Sequence, residues 1–193
     1  IRSCLVGSEM CIRDSTTGLA MVGAILGALR LAEKSGEGQV VETSLYEAAV
    51  WTQASDYAVT AVDHMPVRKR RRDELLTITG NRFPCGDGNW VVFNMLPDAA
   101  YWSRLCEAIG LQEIIVDERF VDSKARYRNM AELIEIFDTA LAAKSRDEWG
   151  KIFDAANLIW GPVMGLHEVP QDPHAQELGM FPTIEHPQLG TYT

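Results

Sequence analysis

Between Thr16 and Glu33 the apolar positions Leu19, Val22, Ala24, Ile25, Leu26, Leu29 and Leu31 are too dense for a narrow amphipathic stripe. That density predicts a helix buried on most sides. Asp14, Ser15 and Thr16 stand at its start and supply capping groups. Its small residues, Gly18, Ala20, Gly23, Ala24, Gly27 and Ala28, would let another helix or a sheet come close, at a cost in helix propensity. Such a helix implies covering elements outside itself. "KSGEGQ", residues 34–39, ends it with glycines suited to a left-handed cap. "VVETS", residues 40–44, reads as a short strand, and a second helix is expected from Leu45 to Val62. This helix, strand, helix succession predicts an α/β layer with helices covering a mainly parallel sheet.

At residues 63–79 the pattern breaks into a basic run followed by an acidic pair, as linkers between domains often do. "RFPCGDGNWVVFNML" then reads as a hairpin, with Gly86, Asp87 and Gly88 in the turn and Trp90 to Phe93 as a β-branched and aromatic strand. Three helical patterns follow, "DAAYWSRLCEAIGL", "MAELIEIFDTALAAKS" and "RDEWGKIFDAANL", with Asp98, Asn129 and Ser145 near their starts as caps. "LIWGPVMGLHEVPQDPHAQELGMF" combines a short apolar run, proline-rich turns and a short helix, and "TIEHP" reads as a closing strand. Two or three strands with about four helices make a small α/β domain.

Composition narrows the class. The chain has 193 residues, 47% of them hydrophobic, enough for a packed core, and carries a net charge of -9. That acidity argues against a nucleic-acid partner, because phosphate affinity comes from Lys and Arg. The stretch Leu19 to Leu31 falls short of the ~20 apolar residues that span a bilayer, so no membrane anchor is expected. Cys4, Cys11, Cys85 and Cys106 lack CxxC spacing, which favours reduced thiols and a cytoplasmic protein. "MCIRDS", residues 10–15, resembles the translation of a transposon adaptor used in sequencing libraries, so residues 1–14 are set apart from the fold as adaptor sequence.

Few residues suggest chemistry. Asp14 is read first as a helix cap. The same geometry would favour its ionised carboxylate and steady charge developing on an acyl oxygen, so facing a cleft it would serve as a nucleophile. "RKRRR", residues 68–72, reads as a solvated linker face rather than a phosphate grip. His64, His167, His174 and His186 form no metal-ligand pattern, and no phosphate-binding GxxxxGK[ST] occurs. The five tryptophans read as core and interface.

Several stretches, in order, resemble the family III CoA-transferases of the formyl-CoA and carnitine type. These are "DSTTGLAMVGAILGAL" with "KSGEGQ" and "VVETSLYEAA", "DGNWVVFNML" with "YWSRLCEAIG", "DERFVDSKARYRNMAEL", and "LIWGPVMGLHEVPQDPHAQELGMF" with "EHPQLG". The resemblance implies a C-terminal fragment of an interlocked homodimer. Residues 15–62 would be a remnant of the Rossmann-like, CoA-binding large domain, 63–76 a linker, 77–180 the small α/β domain and 181–193 a return segment. Asp14 would then be the catalytic aspartate, taking the acyl group of an acyl-CoA as a mixed anhydride and CoA as an aspartyl thioester, before a carboxylic acid acceptor receives CoA. No resident cofactor is implied; CoA enters and leaves as substrate. The adaptor codon at position 14 itself encodes aspartate, and family members often have Gly where Arg13 stands. The same superfamily also holds acyl-CoA racemases of the α-methylacyl type, which need a second acid-base group upstream. A third reading is an inactive folding or dimerisation module.

Overall fold

The structure, a computed structural model, describes residues 8–67, 69–188 and 190–192, with side chains from Asp14 onward, that of Tyr192 excepted. Residues 1–7 of the segment set apart as adaptor, and Arg68 of the basic run, lie outside the described residues. The chain divides into two compact units, 1–69 and 70–193.

The first unit is built from α1 (Ser8–Ser35), α2 (Leu45–Thr52) and α3 (Ala54–Asp63). α1 starts upstream of the expected Thr16, because Glu9, Met10 and Arg13 are good helix formers and no glycine or proline interrupts them. It ends as expected, with Gly36 at φ 78° and its amide bonded to the Ala32 carbonyl at 2.8 Å. α2 is capped by Ser44, whose hydroxyl accepts from the Glu47 amide at 3.1 Å and donates to its carboxylate at 2.9 Å. The helix expected over Leu45 to Val62 is broken at Gln53 into α2 and α3.

Three expectations for this unit need correction. The "VVETS" segment forms no strand among the described residues, since a strand exists only with a neighbour to bond. Neither is α1 buried on most sides. α2 packs on one side of it, while Leu19, Val22, Leu26 and Leu29 are each more than half exposed. The 22 residues Asp14–Ser35 are long and apolar enough to cross a membrane by length and composition, which the shorter apolar run had not suggested.

The second unit holds the core. β1 (Arg82–Pro84), β2 (Trp90–Phe93) and β3 (Trp160–Val163) make an antiparallel sheet in the order β1-β2-β3. The hairpin turn lies where Gly86 to Gly88 predicted it, with Gly88 at φ 80°. Gly86 is demanded by space, since a Cβ there would lie 2.4 Å from the Ala142 carbonyl oxygen. Every strand pairing among the described residues is antiparallel, so the mainly parallel sheet is not found in them.

The sheet packs against α4 (Asp98–Ile109), α6 (Met130–Leu141) and α7 (Arg146–Ala155), with the short α5 (Ser123–Arg128) leading into α6. Phe83, Phe93, Phe137 and Phe153 are fully buried, and their rings meet in a chain at 5.7, 5.3 and 5.1 Å. Each such pair adds about 0.5–1.5 kcal/mol beyond the area it buries. α8 (Pro173–Glu177) follows, and β4 (Ile184–His186) pairs with β5 (Gly190–Tyr192).

Of the three expected caps, Ser145 makes a full capping box with Glu148. Asn129 holds the cap position of α6, but its amide donates to the Arg119 and Ala125 carbonyls. Asp98 is not a cap. Pro97 occupies that position and the Asp98 side chain turns inward.

Candidate active site

Asp14 stands on α1, near the end of its second turn, exposed to solvent. Because the helix begins at Ser8, Asp14 does not cap it, and the free amides of the first turn lie before it. The capping role expected at that position is therefore absent from this chain. The carboxylate itself is accessible, which a nucleophile requires.

A cleft of about 250 Å³ lies between α1 and α2, lined by Thr16, Ala20, Thr43, Glu47, Ala48, Trp51 and Thr52. Thr16 and Ala20 are one turn apart and mark the face of α1 that borders it. Two residues along a helix correspond to about 200° of rotation, so Asp14 lies on nearly the opposite side from Thr16. The cleft and the candidate nucleophile are thus neighbours in sequence that point apart. A second, more apolar hollow of about 400 Å³ is formed within α2 and α3 by Tyr46, Glu47, Val50, Trp51, Ala54 and Tyr57. A Cβ at Gly18, Gly23 or Gly27 would meet no atom within 4 Å, leaving the small-residue side of α1 open.

The other residues weighed from the sequence fall into ordinary structural roles. His64 is the left-handed cap of α3 at φ 54°, and the His186 Nδ1 accepts from the Gln188 amide at 3.2 Å. Among the described residues no three His, Cys, Asp or Glu side chains converge as a metal site. Burial pushes the Cys85 thiol up to about 11 and that of Cys106 up to about 12, so neither offers a thiolate near neutral pH. Trp102, Trp149 and Trp160 join the aromatic core or its edge, as expected, while Trp51 lines both hollows of the first unit.

Tertiary structure joins two charged groups that stand 28 residues apart in the chain. Asp98 accepts from Arg126 Nε at 3.0 Å, from a terminal guanidinium nitrogen at 2.6 Å and from the Ser123 hydroxyl at 2.8 Å. Arg126 also donates to the Phe120 carbonyl at 2.7 Å, and its guanidinium lies 4.5 Å from the Trp102 ring centre. Both side chains are buried and satisfied, which makes this a structural knot rather than a reactive group. Farther along, Arg146 donates to Glu168 at 2.7 Å and to the Val163 carbonyl at 3.1 Å. That hydrogen bond and the Gly165 amide hold the Glu168 carboxyl below the usual carboxylate range. Separations of 28 and 22 residues hid both pairs from any local motif.

A family model described as CoA-transferase family III matches residues 5–193. The chain is 31% identical over 156 residues to a probable fatty acyl-CoA transferase of Mycobacterium tuberculosis, covering 76% of this chain and 39% of that protein. It is 28% identical over 175 residues to the succinyl-CoA–D-citramalate CoA-transferase of Chloroflexus aurantiacus, covering 89% of this chain and 42% of that one. A crystal structure of the Mycobacterium tuberculosis protein superimposes with a TM-score of 0.72 at 26% identity, over 94% of this chain and 46% of the other. The chain spans about two fifths of the length of these curated relatives.

Proposed function

Because the chain belongs to CoA-transferase family III, we propose that the whole protein transfers coenzyme A from an acyl-CoA thioester to a carboxylic acid. The observation that carries this reading is a family match over residues 5–193, with relatives named as CoA-transferases acting on several different acids. Those names favour transfer over racemisation.

In the proposed cycle the Asp14 carboxylate attacks the thioester carbonyl, and CoA leaves as thiolate, giving a mixed anhydride. The thiolate then attacks the aspartyl carbonyl, releasing the donor acid and leaving an aspartyl-CoA thioester. The acceptor carboxylate attacks that thioester and frees the thiolate once more. The thiolate finally takes the acceptor acyl group and restores Asp14. A carboxylate suits the role because exchange of acids through anhydrides requires one. CoA is a substrate throughout, and the reading includes no resident cofactor.

Residues 15–62 are read as part of a Rossmann-like large domain, 63–76 as a linker, 77–180 as a small α/β domain and 181–193 as a return segment, within a cytoplasmic, interlocked homodimer. On this reading the exposed apolar face of α1 is covered by the rest of the large domain rather than by lipid, and it supports the expectation that the 193-residue chain alone has no turnover. The family match begins at residue 5, inside the segment assigned to adaptor. Sequencing through that junction decides whether position 14 carries a native aspartate, as proposed.

The test uses the whole protein with labelled acyl-CoA and a panel of acids. CoA transfer without exchange of the α-proton, lost in Asp14→Ala, is expected. Exchange of the α-proton without transfer would replace the reading by a racemase, and full turnover in Asp14→Ala would remove Asp14 from the mechanism.

A further inference from the structure

We propose that Arg72 is a latch that fixes the place where the chain leaves the second unit, holding the turn at residues 71–75 against α6 and the β1–β2 hairpin. Every contact involved lies within residues 70–193.

The basic run does not behave as one solvated face. Lys69, Arg70 and Arg71 are exposed, but the Arg72 side chain is only 21% exposed and makes a two-point ion pair with Asp138 on α6, at 3.0 and 2.6 Å. Its guanidinium lies 5.0 Å from the Phe83 ring centre and 5.5 Å from that of Trp90, so two aromatic faces of the hairpin also hold the cation. The backbone of the same residue is tied down separately. Its carbonyl accepts from the Asn81 side-chain Nδ2 at 2.9 Å, and Asn81 is itself buried, with its backbone carbonyl accepting from the Phe93 backbone amide at 2.8 Å. The Glu74 carboxylate accepts from the Arg71 amide at 2.9 Å and closes the short 3-10 turn Arg72–Glu74.

The balance of the latch makes it sensitive to Asp138. The Arg72 Nε is buried without a hydrogen-bond partner among the described residues, so within the protein the partial desolvation of the cation is offset by Asp138 and the two rings. Without the carboxylate the guanidinium gains by moving out to water, and the turn moves with it. The turn stands only a few residues from the division between the units.

Hydrogen exchange on the 193-residue chain tests this. In Asp138→Ala, amides of residues 71–75 should exchange about tenfold faster or more, the scale set by losing a charge-assisted bidentate pair. Amides of α7 should keep their wild-type rates, Asp138→Glu should restore protection, and Arg72→Ala, which removes the guanidinium from Asp138 and from both rings, should loosen the turn like Asp138→Ala. Unchanged protection at 71–75 in either loss variant would overturn the proposal. So would an equal rise at 71–75 and in α7, which would mean general destabilisation.

Discussion

Replacing Asp98 by alanine removes the carboxylate that receives four hydrogen bonds, from Arg126 Nε at 3.0 Å, an Arg126 terminal nitrogen at 2.6 Å, the Ser123 hydroxyl at 2.8 Å and the buried Thr79 hydroxyl at 3.1 Å. Arg126 cannot follow by turning outward, because its side chain is 3% exposed and is also bonded to the Phe120 carbonyl. The substitution therefore leaves a buried cation without its counter-charge, a change that costs about 3–5 kcal/mol. Against a total stability of about 5–15 kcal/mol for a domain, this is a large share. Urea unfolding followed by far-UV circular dichroism should show the midpoint falling accordingly with an unchanged slope. Adding Arg126→Met removes the orphaned cation, so the double variant should be more stable than the sum of the single losses implies, by at least about 1 kcal/mol. A loss below about 1 kcal/mol in Asp98→Ala, or strictly additive losses, would refute the claim that a buried charge pair ties α4 to α5.

The Glu168 carboxyl is lowered in the folded state by the Arg146 hydrogen bond, so its contribution is present above the ordinary carboxylate value of 4.5 and lost as pH falls through the lower folded value. The stability gap between wild type and Glu168→Gln should thus shrink on acidification below about pH 4.5; a gap constant from pH 7 to pH 3 would contradict it. Cys85 and Cys106, buried and raised to about 11 and about 12, should resist iodoacetamide at pH 8 until denaturant is added, as peptide mass mapping would show. Gly86→Ala should destabilise by about 1–3 kcal/mol, because the methyl group meets the Ala142 carbonyl at 2.4 Å, and a neutral thermal melt would mean that the turn yields freely.

Local patterns in the chain were sufficient for the hairpin, for α4, α6 and α7 and for the cap at Ser145. Each depends on residues within a few positions of one another, such as Gly86 to Gly88 in the turn or Ser145 and Glu148 at the cap. Ordered stretches from Ser15 onward were also sufficient for the family, because many short matches in sequence order are jointly specific. Asp14 could be singled out by residue type and context, yet whether it capped a helix depended on where α1 began, and that was decided by helix-forming residues upstream.

Other features were decided only in three dimensions. Local context marks Asp98 as a cap, but a carboxylate at that place can equally turn inward if a cation 28 residues away is brought to meet it. Local context likewise marks Arg72 as part of a solvated run, and its partner on α6 is 66 residues away. The apolar density of α1 calls for burial, but burial is a property of what surrounds a helix, and among the described residues α2 packs on one side of it while the other apolar positions stay exposed. The sequence by itself determined the hairpin and the main helices of the second unit, the family and the chemical candidate. Tertiary structure decided which charges are paired and which apolar faces remain open, since both depend on contacts that periodicity and spacing do not encode.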